Sequence, residues 1–534
     1  MEIDEPPPRQ YQPDAMEIDP PPPALPAANI QPPLPPPALL PLARRQYVEP
    51  DSRHDANRMN VACPHCSALH WMSERLTASS NRNPAFGTCC DQGQVRIPAL
   101  RDPPEHLRRL FEDRTPESVE FRKNIRQYNA ALAFTSLGVK VDTKINDGRG
   151  PYVFRIHGGL NHRIGDLMPV EGQQPVYAQL YIYDPQVALD ERMQRNRDLS
   201  RRTMQKLQTV LIQHHRYATL FRHAHEVLAQ QPPDSSLSIR FLADPSRDQR
   251  RYNLPTVSEI AAIIPGDVTH VTDSRDIVLH RRSGHLQRIH DGHRSYACLH
   301  YVLFFPYGED GWHWDLKMNQ PDKENPHRLS QVRYAAFRLF SREMEFSVIL
   351  RGAALFQQWL VDNFAACDQN RLTYLRLNQK KLRASLYSGL EDSITAAGDD
   401  NPNLHDLGQR YILPSSYTGG PRYMYQCYQD GLALARHFKK IDIFMTVTCN
   451  PKWAEIEREL LPGQTAADRP DLVARVFHMK KQAIINCVYK QGVFGQTVAY
   501  IYTIEFQKRG LPHMHMLIFL DQPDKLLTPA DVDS

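Results

Sequence analysis

No window of the chain approaches the roughly 18 consecutive apolar residues of a membrane span. Acids stand where a secretory leader would carry its basic stretch. Cysteine is sparse, nine in 534 residues, and too scattered for a disulfide-stapled extracellular fold. Net charge is nearly balanced at +4, so a nucleic-acid partner has to be argued from local patches. No G-x-x-x-x-G-K-[ST] phosphate loop occurs, which excludes a P-loop nucleotide site within these residues. A soluble, intracellular protein with no membrane partner is expected, its chemistry held in a few short motifs. Proline is the opposite case. Of 43 prolines many crowd the first 50 residues, where MEIDEPPP at Met1 returns as MEIDPPPP at Met16. At that density proline blocks helix and sheet ladders, so a disordered proline-rich tail is expected over 1–50.

Beyond the tail, composition divides the chain into a cysteine segment (51–100), a mixed α/β region (101–270), a largely helical region (271–400) and a final α/β segment (401–534). The spacing of Phe121, Ile125, Tyr128, Leu132 and Leu137 predicts one helix. The stretches GRGPYVFRIHGGLNHRIGDL and VYAQLYIYD alternate as strands do, and a single long helix is expected over 185–231. Helix is expected in PTVSEIAAIIPGDV and strand in RDIVLHRRSG. YVLFFPYGEDGWHWDL reads as a turn-rich aromatic stretch after an apolar strand. Helices are predicted over 332–340, 346–390, 422–438 and 471–489, with strands at DIFMTVTCN, VAYIYTIEFQ and PHMHMLIFL. The fold class is α+β.

Three constellations carry candidate chemistry. In PHMHMLIFL, His513 and His515 are two apart on a strand and therefore project from one face, with Met514 and Met516 on the other. Two such imidazoles can hold a divalent metal with positions left for phosphate oxygen and water. The preceding strand offers Glu505 and Gln507 on one face as a third ligand, across a turn in which Lys508 and Arg509 add positive charge. In the cysteine segment, Cys63 and Cys66 have knuckle spacing and Cys89 and Cys90 follow after a loop. Four thiolates can close a tetrahedral Zn²⁺ site, with His70 as a rival for the fourth place because vicinal cysteines reach one metal with difficulty. The helix NRLTYLRLNQKKLR puts Arg371, Arg376, Lys380, Lys381 and Arg383 around Tyr374, the pairing of charge and aromatic that single-strand binding uses. Lys452, at the end of FMTVTCNPKW, adds a further cation. His214, His215, His223 and His225 lack the i, i+4 pairing that would share a metal on one helix face, and are read as surface and core.

LPSSYTGGPRYMYQCYQDGLALARHFKKIDIFMTVTCNPKW together with TIEFQKRGLPHMHMLIFL resembles the Helitron helicase-like domain, the N-terminal replication-initiator (Rep-type, HUH) nuclease part of Helitron rolling-circle transposases. Upstream stretches such as RQYNAALAFTSLGVKVD, LFFPYGEDGW and RGAALFQQWLVDNFAACDQNRLTYLRLNQKKLR look similar as well, so that the resemblance runs over most of 60–525. It implies an antiparallel sheet whose central strands hold Mg²⁺ or Mn²⁺ at His513 and His515, with Gln507 preferred as third ligand and Glu505 as fallback. It also implies a zinc-finger-like module that grips transposon-end DNA, a single-stranded DNA partner and a nuclear location. In that family a tyrosine on a helix after the histidine strand attacks the phosphate. Here no tyrosine follows Leu520; Tyr423, Tyr425 and Tyr428 are poor substitutes. The expectation is a truncated copy with an incomplete sheet, which binds DNA and lacks autonomous nicking.

Overall fold

A computed structural model describes residues 41–45, 53–142, 144, 146, 152–157, 160–169, 172–229, 237–241, 261–265, 277–280, 287–379, 413–507 and 510–529. Most of the proline-rich tail lies outside them. Its end, Leu42–Arg44, forms a single 3-10 turn tied to the C-terminal segment, the Ala43 N–H donating to the Val493 carbonyl.

The cysteine segment opens with a short hairpin of β1 (Val61–Ala62) and β2 (Leu69–His70). The expected helix through Leu137 is instead three pieces. Helices α1 (Glu105–Glu112), α2 (Pro116–Lys123) and α3 (Ile125–Leu132) are followed by strand β3 (Ser136–Leu137). Asn124, with φ −107° and ψ 15°, separates α2 from α3, so the apolar spacing continues across a break that periodicity alone cannot register. Strands β4 (Lys140–Val141), β5 (Ile156–His157) and β6 (His162–Ile164) follow, the last two within the stretch where alternation predicts strands. VYAQLYIYD, however, is a 3-10 turn at Tyr177–Tyr181. The Gln179 side chain accepts from the Val176 N–H and donates to the Asp166 carbonyl, which holds the chain coiled where alternation suggests a strand.

The long helix expected over 185–231 is α4 (Pro185–Arg195), α5 (Arg201–His214) and α6 (Arg216–Ala229). Asp184 caps α4 and Ser200 caps α5. Extended backbone at His215 ends α5, because the ring is fully buried, stacked on Phe134 and bonded to the Cys298 carbonyl. Strands β7 (Leu237–Phe241), β8 (Ala261–Pro265) and β9 (Ile277–His280) form one antiparallel sheet in the order β8-β7-β9. Thus AAIIP, expected as helix, is strand, in keeping with its β-branched isoleucines; β9 falls within the expected strand. Strand β10 (Gln287–Ile289) pairs with β6. The stretch YVLFFPYGEDGWHWDL is rich in turns, as expected, but what precedes it is helix and not strand. Helix α7 (Tyr296–His300) leads into tight turns in which Val302, Leu303, Phe304 and Phe305 are all buried, and a run buried on every side carries no period to read.

Helices α8 (Gln331–Arg338), α9 (Ala353–Leu377) and α10 (Pro421–Phe438), strand β11 (Ile443–Thr448), helices α11 (Ala454–Glu457) and α12 (Pro470–Ile485), and strands β12 (Thr497–Phe506) and β13 (Pro512–Leu520) complete the chain. Helices α8, α10 and α12 and the three strands fall close to their expected positions; α11 was not expected, and α9 covers only the middle of the helix expected over 346–390, of which 380–390 lies outside the described residues. Helix and small antiparallel sheets are mixed throughout, an α+β fold, and no helix among the described residues is long and apolar enough to cross a membrane.

Three cores hold the molecule together. The largest draws on residues from Leu100 to Trp359. A second packs α12 against the back of β13, and a third surrounds the cysteines with Met318, Leu329, Tyr334, Phe337 and Phe340. The cysteine segment contributes to two of them, since Met59 and Trp71 belong to the second.

Candidate functional site

Strand β13 is the middle of a three-stranded antiparallel sheet in the order β11-β13-β12. Its alternation sorts two chemistries onto two faces. Met514, Met516 and Ile518 are fully buried against α12. The other face carries His513 and His515, opposite Thr448 and Thr446 on β11 and Glu505 and Thr503 on β12. On β11 the pattern is the same, with Ile443, Met445 and Val447 half-buried and Phe444, Thr446 and Thr448 exposed.

On that open face the two imidazole rings lie 4.5 Å apart at 71°. His513 is 9% exposed and its Nδ1 is 2.7 Å from the Thr448 hydroxyl, which leaves Nε2 as its free ligand atom. His515 Nε2 lies 3.2 Å from a Glu505 carboxylate oxygen, while its Nδ1 is buried with no partner. One ligand atom from each of Glu505, His513 and His515 lies within 4.8 Å of the others. Two imidazole nitrogens and one carboxylate oxygen, with one nitrogen orphaned, are a donor set that fits a divalent cation and leaves part of its shell open. Phe444, 62% exposed, stacks on His515 at 5.7 Å and 7°, an aromatic surface beside the cluster.

Gln507 occupies the hairpin end instead. Its N–H donates to the Leu511 carbonyl and its own carbonyl accepts from Gly510, whose φ of +75° suits the turn. Its side chain is exposed. Lys508, Arg509, Lys380, Lys381 and Arg383 lie outside the described residues. Arg371 and Arg376 are exposed near the end of α9 with Tyr374 between them, on an element that packs against α3, α8 and the 3-10 turn Ala466–Asp468. Lys452 is exposed in an Asn450 turn directly after β11.

Helix α10 lies over the lower part of the histidine face, with Phe438 5.5 Å from Phe519 and Gly431 facing Ile501. It carries Tyr423, half-buried, and Tyr425 and Tyr428, both exposed. A hydrogen bond with the Cys427 thiol pushes the Tyr423 hydroxyl up, away from the phenolate a nucleophile requires.

The second cluster is the cysteine site. Cys63, Cys66, Cys89 and Cys90 place four sulfurs within 4.8 Å of one another. Two tight turns achieve this. The Ser67 N–H donates to the Cys63 carbonyl with Ser67 at φ 57°, and Asp91, Gln92 and Gly93 all take positive φ after the vicinal pair. Cys90 Sγ also accepts from the Gly93 N–H at 3.2 Å. The hydrogen bond to Cys66 draws the Cys63 thiol well below its usual value. Cys66 is raised by Cys63, but bonds from Cys89 and Cys90 outweigh this and leave it at about 6. Cys89 and Cys90 are pushed up, chiefly by Cys63. Four mutually crowded sulfurs resist joint ionisation unless a cation sits among them, so the cluster fits a metal such as zinc. His70 is not part of this group of sulfurs. Its Nδ1 is 3.1 Å from Glu74, and its ring stacks on Phe86 at 4.0 Å.

Of the remaining histidines, His214 is exposed, His215 buried and His223 half-buried; the side chain of His225 lies outside what is described. The sequence reading missed Thr448 and Phe444, whose link to the histidines exists only through strand pairing.

Against known families, residues 334–518 match the Helitron helicase-like domain at the N-terminus. The match runs from α8 through β13 and includes both histidines, and it supports a Helitron-related protein with a nucleic-acid-related function. No curated protein matches the chain.

Proposed function

We propose that this chain is a transposase-derived DNA-binding protein whose histidine strand holds Mg²⁺ or Mn²⁺ and engages single-stranded DNA. The observation that carries this is the open face of β13, where His513, His515 and Glu505 converge beside the exposed ring of Phe444. Glu505 becomes the third ligand in preference to Gln507, because its carboxylate already reaches His515. A divalent cation bound there supplies Lewis acidity toward a phosphate oxygen. Thr448 orients the His513 ring, and Phe444 offers a face on which an unpaired base can stack. The four thiolates would hold Zn²⁺ as a structural ion. Lys452, Arg371 and Arg376, with Lys380, Lys381, Arg383, Lys508 and Arg509, are candidates for backbone contacts, and a nuclear location follows from a DNA substrate.

Cleavage needs a nucleophile as well as the metal, and binding is the activity we assign. Labelled single-stranded DNA is titrated with the chain in Mn²⁺ at several salt concentrations, beside His513→Ala/His515→Ala. Affinity that falls steeply with salt and weakens at least tenfold in the double variant is expected, with no covalent band on a denaturing gel. Equal binding by both proteins overturns the reading. A covalent adduct lost in Tyr423→Phe, Tyr425→Phe or Tyr428→Phe would extend it from binding to nicking.

A further inference from the structure

The cysteine segment is fastened to the back of the histidine strand, about 400 residues away in sequence. After β2 the chain passes through His70 and Trp71 into the 3-10 turn Met72–Glu74. His70 is fully buried between Phe86, which shares the core of Cys89 and Cys90, and Phe340. Glu74 then gathers four donors: His70 Nδ1 at 3.1 Å, the Trp71 N–H at 3.1 Å, and Arg475 through Nε at 2.7 Å and a terminal nitrogen at 2.6 Å. Arg475 belongs to α12. It also donates to the Leu69 carbonyl and lies over the rings of Trp71 and Phe340.

Trp71 has no exposed surface and packs in the same core as Leu472, Val476, Met514 and Met516. Ser73 bonds Met479 on α12. Further contacts repeat the connection: the Ala56 and Met59 N–H groups donate to Glu455 and Glu459, and Asp55 pairs with Arg458. Met514 lies between His513 and His515 in sequence, so a shift of the methionine rows carries the imidazoles with it. Close-packed cores transmit such shifts instead of absorbing them, and the half-buried bidentate pair of Glu74 and Arg475 fixes the angle at which the two segments meet.

We propose that Trp71, Glu74 and Arg475 are positioning residues that make divalent-cation binding at the histidine strand depend on metal occupancy of the cysteine site. With the thiolates closed on a cation, the β1–β2 hairpin holds His70 and Trp71 in register, and Glu74 clamps α12 behind β13. Without it, the two tight turns lose their tie and the clamp loosens. The inference rests on the metal-binding reading of His513, His515 and Glu505, and deepens it by naming what regulates that site.

The test uses the full chain and Mn²⁺ as probe. Zinc content is measured colorimetrically after thiol release, and Mn²⁺ affinity by electron paramagnetic resonance. Wild type, Glu74→Gln and His513→Ala/His515→Ala are compared, each zinc-loaded and zinc-stripped, with circular dichroism confirming the fold. Glu74→Gln is expected to keep one zinc per chain and to bind Mn²⁺ about tenfold more weakly, within the ~5–150-fold range of coupled sites. Stripping zinc from wild type should produce a similar loss, and stripping Glu74→Gln little more. A purely structural Glu74 would not abolish the zinc dependence in this way. If stripping unfolds the chain, zinc-loaded Glu74→Gln decides alone. Unchanged Mn²⁺ affinity in that variant, with the double histidine variant still defective, overturns the coupling and spares the histidine site. Mn²⁺ binding that ignores the histidines overturns both.

Discussion

At the scale of single residues, the histidine face depends on groups that touch no cation themselves. The Thr448 hydroxyl meets His513 Nδ1 at 2.7 Å, which fixes the rotation of the ring. Thr448→Val keeps the shape and the strand propensity but removes that hydrogen bond. We expect Mn²⁺ affinity to fall roughly 10-fold, the low end of what outer-shell changes cost, with the unfolding midpoint almost unmoved. Phe444 permits a separate experiment on the same face. Its ring is stacked on His515 yet mostly open to solvent. Phe444→Ala should weaken single-stranded DNA by about 1–3 kcal/mol, the usual contribution of a base–aromatic stack, while leaving Mn²⁺ affinity within twofold. Phe444→Trp should restore the binding, as read by fluorescence anisotropy. Equal affinity for wild type and Phe444→Ala would remove Phe444 from the DNA face.

At the scale of elements, β13 does two jobs through the alternation of histidine and methionine over His513 to Met516. Met516 points into the core with Trp71 and Val476, so Met516→Ala should cost about 2–5 kcal/mol by opening a cavity. Thr446, exposed on the opposite face of the neighbouring strand, should tolerate alanine within about 0.5 kcal/mol. Urea unfolding of the two variants checks the contrast, and comparable losses would contradict the assignment of faces. This alternation was legible in the sequence, because PHMHM and FMTVT keep a period of two and the turn before Pro512 is marked by Gly510. The cysteine cluster was legible from spacing. What pairs across strands was not. Thr448 and Phe444 meet the histidines through register, and Glu74 meets Arg475 through a contact spanning 401 positions. Local pattern carries no information on either. The helices over 185–229 were misread as one because their breaks come from the non-helical backbone at Asn196, the cap at Ser200 and the burial of His215, while the apolar spacing runs on regardless.

At the scale of the whole molecule, the largest core encloses imidazoles that have no room for charge. Burial lowers His215 and His300 to about 3 and His293 to about 4. In the unfolded chain each would take up a proton near pH 6.5, so below that value the unfolded state binds more protons and stability must fall with pH. The loss begins as pH drops through about 6.5 and continues until the folded-state values are reached, at up to about 1.4 kcal/mol per pH unit for each group. Asp362 adds to it at lower pH. Burial raises its carboxyl, but His162 and the hydroxyls of Tyr296 and Tyr301 outweigh that and hold it below the usual value. Its stabilisation is present above its unfolded value, near pH 4, and is lost as pH falls through the folded one. Thiolates holding a metal would protonate in acid too, so the informative quantity is a difference between proteins. His215→Gln retains an amide able to donate to the Cys298 carbonyl, as His215 Nε2 does, but cannot protonate. Its absolute stability should be lower at pH 8, and its decline between pH 6.5 and 4.5 shallower than wild type by about one proton's worth. Parallel urea titrations at each pH measure both slopes. Identical slopes would mean that His215 takes up its proton inside the folded core, and that this part of the molecule opens to water before it unfolds.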